Sequence, residues 1–334
     1  MKRGTLLMPA PTNPVEREAW LAARMDGIGA SEIAVVLGIS PYDSPFSLYW
    51  RKKLRSHIEA NEDMEWGSRL EDAIAVKFAE NHPDLFLGDG GLYQHADHSW
   101  MLATPDRLAY NHLCLRTLDP DPATWGPCGS CWASVLVQLK TTFSFDGWGE
   151  PGTDQIPDHY RAQVMQEMEV YGAARCWIPV LSQGKRYREY VVDYDAADAA
   201  LLVKRGAEFM DQLSNDEPPR IDGSVATTQT LKQLHPDVID DCVTVPQALA
   251  DRWWQAKQIL ADAEAAHAEV TNQMRAAVGK HRYGVAGGRR VAARVVYDSS
   301  RVAGKRLKKD HPDLYEQYTT TSTTDKLTPI EETP

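Results

Sequence analysis

The sequence has few cysteines and no long apolar run. Its 334 residues include five cysteines, an odd and small number that argues against a disulfide framework and favours reduced thiols or at most one metal cluster. No apolar stretch approaches the roughly 18 residues of a membrane span, and Pro9 and Pro11 stop the run Leu6–Met8 before it could act as a signal sequence. We therefore expect a cytoplasmic protein that has no membrane association.

Several motifs that define large enzyme classes are also missing. Gly184, Gly279 and Gly304 each precede a lysine, but the next residue is Arg or His rather than the Ser or Thr of a phosphate-binding P-loop. The sequence contains neither HExxH nor GxSxG. These absences argue against a motor ATPase, a zinc protease of the zincin type and an α/β hydrolase.

The charge of the chain is unevenly distributed. A net charge of −11 at pH 7 is unfavourable for a partner as negative as DNA. Residues 280–309, however, contain ten Lys and Arg side chains and one acid, Asp298, so this segment carries +9 and the rest of the chain −20. The pattern fits a basic arm on an acidic body, although surface Lys and Arg more often form a solvated face.

Hydrophobic periodicity predicts an α/β fold with a central mixed β-sheet flanked by helices. We expect this core to occupy residues 1–213 and the polar, Pro- and Gly-containing segment 214–224 to be a linker. Residues 225–318 then form a C-terminal α+β domain with a long Ala-rich helix and a hairpin, and residues 319–334 a flexible tail. The predicted helices of the core are 15–25, 31–38, 45–54, 67–81, 157–172 and 195–213, and its strands are 100–103, 107–110, 135–140, 176–181 and 187–194.

One group of polar residues has the spacing of a metal-dependent hydrolytic site. Asp106 stands at the end of a predicted strand, and period-two alternation places Gln138 and Lys140 on one face of another. Glu71 lies on the polar flank of a preceding helix. Two oxygen ligands beside a lysine could hold Mg²⁺ next to an attacking water. The alternative is a buried strand with a surface lysine at its edge.

Five segments of the sequence form a characteristic series. They are GIGASEIAVVLGISPYDSPFSLYWRKK (27–53), WGSRLEDAIAVKF (66–78), ATPDRLA (103–109), VLVQLKT (135–141) and YRAQVMQEMEVYG (160–172). In this order and spacing they resemble the YqaJ-type phage recombinase exonucleases. That family is similar to lambda exonuclease and is part of the PD-(D/E)XK nuclease superfamily, whose fold is a mixed sheet flanked by helices.

The resemblance implies catalytic roles for individual residues. Asp106, Glu71 and Gln138 would bind the metal, and Lys140 would position or deprotonate the attacking water. Gln163 would belong to the catalytic group and steer DNA or a metal-bound water.

The resemblance also implies residues that bind the substrate. Arg24 and Ser31 would hold a terminal 5′-phosphate, and Tyr160 would contact the DNA together with Gln163. From the residues alone, Ser31 could equally be a helix cap and Tyr160 a core aromatic residue.

The implied function is Mg²⁺-dependent digestion of duplex DNA ends from 5′ to 3′, with Mn²⁺ as a possible substitute, leaving 3′ single strands. The implied partners are double-stranded DNA ends, a single-strand annealing protein and two further copies of the chain in a trimeric ring. Two alternatives stay open: a structure-specific or nicking endonuclease of the same fold, and a catalytically silent DNA-binding recombination scaffold.

Gln138 departs from the superfamily pattern, which has Asp or Glu at that position. A neutral amide oxygen can coordinate Mg²⁺ but lacks the charge that attracts the ion and balances Lys140. A natural variant that uses Gln, an engineered substitution and a chain that has lost catalysis all explain this residue.

A second metal site is a minor hypothesis. Cys128 and Cys131 have the spacing of a zinc knuckle, and His112 with Cys114 could complete a tetrahedral Zn²⁺ site. The spacing is irregular for the common zinc motifs.

Overall fold

A computed structural model describes residues 2–57, 61–111, 135–322 and 324–328. The helices are α1 (Pro14–Arg24), α2 (Ala30–Val36), α3 (Pro45–Leu54), α4 (Glu62–Asn81), α5 (Asp158–Tyr171), α6 (Ala196–Ser214), α7 (Val225–Leu234), α8 (Gln247–Val278), α9 (Gly304–Asp310) and α10 (Pro312–Gln317). The strands are β1 (Thr5–Pro9), β2 (Leu85–Asp89), β3 (Gly91–Gln94), β4 (Leu102–Ala103), β5 (Arg107–Asn111), β6 (Val135–Val137), β7 (Lys140–Thr142), β8 (Arg175–Ser182), β9 (Arg186–Asp193), β10 (Tyr283–Ala286) and β11 (Arg289–Ala293).

The first unit of the chain, residues 2–236, is built on a mixed six-stranded sheet. β2 pairs antiparallel with β5, and β5 pairs antiparallel with β6. β6 and β7 both run parallel to β8, which also pairs antiparallel with β9. The helix α5 lies in the connection between β7 and β8, as a parallel pair requires.

Helices cover both faces of this sheet, because successive residues of its strands place apolar side chains on opposite faces. Leu108 and Leu136 belong to the larger core cluster, which they share with residues of α2, α5 and α6. The next residues along the strands, Ala109 and Val137, face the other way and pack with Ile74 and Phe78 of α4. The predicted sheet flanked by helices is therefore present.

The strand predicted at 135–140 is interrupted. β6 ends at Val137 and β7 begins at Lys140, so Gln138 and Leu139 lie between two strands. The register is nevertheless unbroken, because Val137 pairs with Trp177 and Lys140 with Val180. Gln138 and Lys140 therefore keep the common face that the alternation predicts.

Three strands of the first unit were not predicted. They are β1, β2 and β3. β1 pairs antiparallel with β3, which also pairs with the predicted strand β4, in a separate three-stranded sheet. β2 is an edge strand of the main sheet. α4 begins at Glu62, five residues before its predicted start, because the Asn61 side chain caps it by accepting a 2.9 Å hydrogen bond from the backbone N–H of Met64.

The boundary between the two units falls after Pro236, which differs from the predicted linker at 214–224. The reason is α7, which packs against α3: the hydroxyls of Ser44 and Thr227 form a buried 2.8 Å hydrogen bond. The second unit, residues 237–334, contains α8 and the predicted hairpin β10–β11, whose turn residues Gly287 and Gly288 both have positive φ. No helix within the described residues is long and apolar enough to cross a membrane.

Candidate active site

The predicted acid Asp106 lies immediately before β5, beside the interruption in the neighbouring strand. The backbone N–H of Leu139 donates a 2.8 Å hydrogen bond to Asp106 Oδ2, and the backbone N–H of Asp106 donates a 3.3 Å bond to Gln138 Oε1. These two bonds fix the carboxylate against the gap between β6 and β7. Burial raises the pKa of Asp106, with Lys140 as the strongest opposing influence.

Lys140 begins β7 on the sheet face that α5 covers. Its Nζ lies 5.2 Å from the centre of the Tyr160 ring, in a cation–π arrangement. Tyr160 is half-buried and packs against Trp148 with ring centres 5.5 Å apart. The structure therefore places Tyr160 next to the candidate catalytic lysine, where its ring both packs on the core and faces the site.

Glu71 reaches the same site from α4. Burial, followed by the nearby Asp106 carboxylate, raises the pKa of Glu71 to about 7, while Arg107 and Lys140 oppose the rise. Arg107 is held by Asp72, with Nη2 2.6 Å from Oδ1. Glu71, Asp106 and Lys140 thus interact electrostatically at one end of the sheet, where helices from both faces can contribute side chains.

A further carboxylate, which the sequence prediction missed, lies on α5. Glu167 is fully buried, and its Oε1 accepts a 2.9 Å hydrogen bond from Gln163 Nε2. Its Oε2 has no hydrogen-bond partner among the described residues. Burial, and then the Asp106 carboxylate, raise the pKa of Glu167 to about 8, with Lys140 the strongest opposing influence. Gln163 therefore positions an acid of the site.

The two residues predicted to hold a 5′-phosphate lie together. Arg24 ends α1, and its Nη2 donates a 3.4 Å hydrogen bond to Oγ of Ser31, an exposed residue in the first turn of α2. Burial lowers the pKa of Arg24, an effect that Glu32 opposes most strongly and Glu167 also opposes. This pair therefore borders the acidic site.

A second buried cation, Lys52, lies beside Arg24 and is not among the residues predicted from the sequence. Lys52 Nζ donates to Glu32 Oε2 at 2.7 Å and to the Arg24 carbonyl at 3.0 Å. Only 7% of Lys52 is exposed. Gly29 leaves the space that Arg24 occupies, since a Cβ on Gly29 would lie 3.1 Å from Arg24 Nη2. Arg24, Lys52 and Glu32 thus form a cluster that carries two positive charges and one negative charge.

The donor set fits a hard divalent cation. Within the described ranges no three His, Cys, Asp or Glu side chains are gathered into a metal centre. Mg²⁺ does not need such a centre, because it keeps several waters and uses one or two carboxylates together with substrate phosphates. The buried Oε2 of Glu167, which has no hydrogen-bond partner among the described residues, could serve as one such carboxylate ligand. The zinc hypothesis concerns His112, Cys114, Cys128 and Cys131, which lie outside the described residues.

The first unit of the chain can be assigned to a fold class. The mixed sheet carries helices on both faces, and the candidate acids and lysine gather where β5 starts and the adjacent strand is interrupted. This is an α/β fold with a central mixed sheet flanked by helices, as the sequence predicts.

Comparison with known proteins identifies the family that this chain resembles. Residues 19–174 match the model of the YqaJ-like viral recombinase domain, which confirms the resemblance predicted from the sequence. The protein YqaJ of Bacillus subtilis (strain 168) is 23% identical over 327 residues, which cover 95% of this chain and 94% of that protein. Protein R354 of Acanthamoeba polyphaga mimivirus is 25% identical over 160 residues, 47% of this chain and 27% of its own length.

Two of the similar solved structures are exonucleases. The alkaline exonuclease LHK-Exo from Laribacter hongkongensis is 17% identical with a TM-score of 0.44, covering 66% of this chain and all of that one (100%). A phage-related exonuclease from Haemophilus somnus 129PT is 12% identical with a TM-score of 0.36, covering 57% of this chain and 96% of that one.

Proposed function

We propose that the protein is a Mg²⁺-dependent exonuclease that digests double-stranded DNA from 5′ ends and leaves 3′ single strands. The observation that carries this proposal is that the charges of Asp106 and Lys140 both act on the Glu71 carboxyl group near one end of the sheet. A divalent cation bound there would supply Lewis-acid stabilisation of the scissile phosphate. Mn²⁺ has the same preference for oxygen ligands and could substitute.

The protein side chains have separable tasks in this scheme. Asp106 and Glu71 would hold the cation, and Lys140 would orient the attacking water and balance the charge that develops on the phosphate. The ring of Tyr160, 5.2 Å from Lys140 Nζ, limits where the ammonium group can move. Arg24 and Ser31 would bind the 5′-phosphate, because a guanidinium and a hydroxyl both donate hydrogen bonds to phosphate oxygens.

A catalytically silent DNA-binding scaffold is the second candidate, and Gln138 is the observation that favours it. Gln138 is 3% exposed, and its Oε1 already accepts from the Asp106 backbone. If that oxygen is the only substitute for the usual acid, the site is short of one negative charge. A scaffold role would require DNA binding without phosphodiester cleavage.

The test is nucleotide release from labelled linear duplexes with Mg²⁺, with and without a 5′-phosphate, alongside closed circular DNA. We expect release from the linear duplex, survival of the 3′-ended strand and an intact circle. Lys140→Ala should lower the rate by about 10²- to 10⁴-fold, whereas Lys185→Ala, in the exposed turn before β9, serves as the matched control.

Three outcomes would contradict the proposal. A nicked or linearised circle would indicate the endonuclease. Early loss of the 3′-ended strand would show that digestion proceeds from 3′ ends instead of 5′ ends. No release from the unaltered chain or from Gln138→Glu would indicate the scaffold. The annealing partner, the trimeric ring and the cytoplasmic location stay predictions that this assay does not address.

A further inference from the structure

We propose that Glu167 on α5 supplies to the cation site the carboxylate that Gln138 on the strand does not, so that the acid of this site has moved from the sheet to the helix. The inference rests on the proposed metal-dependent function and adds a cation ligand to it. It assigns a role to the one fully buried acid among the described residues.

The first support is Oε2 of Glu167, which makes no hydrogen bond among the described residues. Gln163 holds Oε1 of Glu167 at 2.9 Å, which leaves Oε2 unpartnered within the described part of the chain. A buried carboxylate normally has its oxygens satisfied, because leaving one unpaired in a low-dielectric interior costs free energy. With Oε1 held by Gln163, the buried Oε2 is the oxygen that would receive a cation.

The second support is position. α5 covers the sheet face toward which Gln138 and Lys140 point, and Tyr160, two turns before Glu167 on α5, contacts Lys140. Gln166 anchors the same helix turn by donating 2.8 Å and 2.9 Å hydrogen bonds to the carbonyls of Ile28 and Leu102. Glu167 is therefore held in place by its helix, and the charges of Asp106 and Lys140 both act on its carboxyl group.

The third support is the charge balance. With Gln138 neutral, Asp106 is, among the described residues, the only acid that the sheet contributes to a site that also contains the Lys140 ammonium. Once a bound cation displaces its proton, an acid at position 167 would supply the negative charge that Gln138 lacks and would offset the lysine. Glu167 would be redundant beside a glutamate at position 138, since Glu71, Asp106, Glu167 and the added acid would be four carboxylates that repel one another without an ion.

The test is Mn²⁺ binding to the whole chain without DNA, followed by calorimetry or by electron paramagnetic resonance of the free ion. We expect Glu167→Gln to weaken Mn²⁺ binding by about 10- to 100-fold. The double variant Gln138→Glu, Glu167→Gln should regain the affinity, because it returns the carboxylate to the strand. Glu169→Gln is the matched control: it lies on the same helix but bonds to Tyr194 and His95, and it should bind Mn²⁺ as the unaltered chain does.

The outcomes separate this inference from the proposed function. If the unaltered chain binds Mn²⁺ and folded Glu167→Gln binds it equally well, the inference is wrong and the proposed nuclease stands. If the unaltered chain binds no Mn²⁺ and also releases no nucleotide, both fail. Loss of binding in Glu167→Gln that Gln138→Glu cannot restore would show that Glu167 does not substitute for the strand acid. The thermal unfolding of each variant, recorded without metal, shows that it is folded.

Discussion

The side-chain amide of Gln166 donates a 2.8 Å hydrogen bond to the carbonyl oxygen of Ile28. The same nitrogen donates to the Leu102 carbonyl at 2.9 Å, and the side chain is fully buried. One residue of α5 thus ties the helix to β4 and to the segment that precedes α2. Since α5 carries Tyr160, Gln163 and Glu167, this link joins the acidic site to the segment that leads from Arg24 to Ser31.

Replacing Gln166 with Leu should destabilise the protein by about 1–3 kcal/mol, because two buried carbonyls lose their donor. The measurement is the free energy of unfolding in urea. Gln229→Leu, at an exposed position of α7, is the control and should change it little. Equal effects of the two substitutions would contradict the anchoring role of Gln166.

Arg24 provides a prediction about substrate selection. Its guanidinium lies 3.4 Å from Ser31 Oγ and above the Trp20 ring at 4.6 Å. Arg24→Gln should remove most of the preference for 5′-phosphorylated ends, by about 10- to 100-fold in kcat/KM, because a charge-assisted hydrogen bond is worth about 1.5–3 kcal/mol. Non-phosphorylated ends should be digested at an unchanged rate. If both kinds of end slowed equally, Arg24 would be a structural residue.

Glu167 also makes stability depend on pH. Its pKa is about 8 in the folded protein against an ordinary value of 4.5. A raised folded-state pKa means that the folded protein holds the proton more tightly, so stability is lost as pH rises from about 4.5 to about 8. Without divalent cations, Glu167→Gln should abolish this fall in the free energy of unfolding, which is of the order of a few kcal/mol. Unfolding of both proteins across this range would show diverging curves, and parallel curves would contradict the prediction.

The sequence contained a signal for Glu167 that the site prediction did not use. Gln163 was assigned to the site, and a residue four positions later lies on the same helix face. The motif comparison favoured positions 138 and 140, where the resemblance places the acid and the lysine. A glutamine at the expected acid position is a reason to search neighbouring helix faces for the missing charge.

Other features depended on contacts between distant parts of the chain. β1 forms only because Thr5 and its neighbours pair with residues 91–94, a partner that local periodicity does not reveal. The interruption at Gln138 and Leu139 likewise depends on Asp106, more than thirty residues away, which accepts the Leu139 N–H. By contrast, the hairpin β10–β11 was predictable, because two adjacent glycines supply the positive φ angles of its turn.

The basic segment of the second unit leads to the last prediction. Lys305 and Lys309 lie on α9, within the stretch that carries a net charge of +9. If they neutralise DNA phosphates, replacing both with Gln should reduce the slope of log K against log salt by about two, since each released counterion contributes about 0.9. The effect should be the same for any duplex sequence, because phosphate contacts carry no base information. The pair Lys77→Gln, Lys204→Gln, from exposed helix positions of the first unit, removes the same charge elsewhere. Equal slopes for the two double variants would mean that only the overall charge matters, whereas a change confined to α9 would locate a DNA-binding surface there.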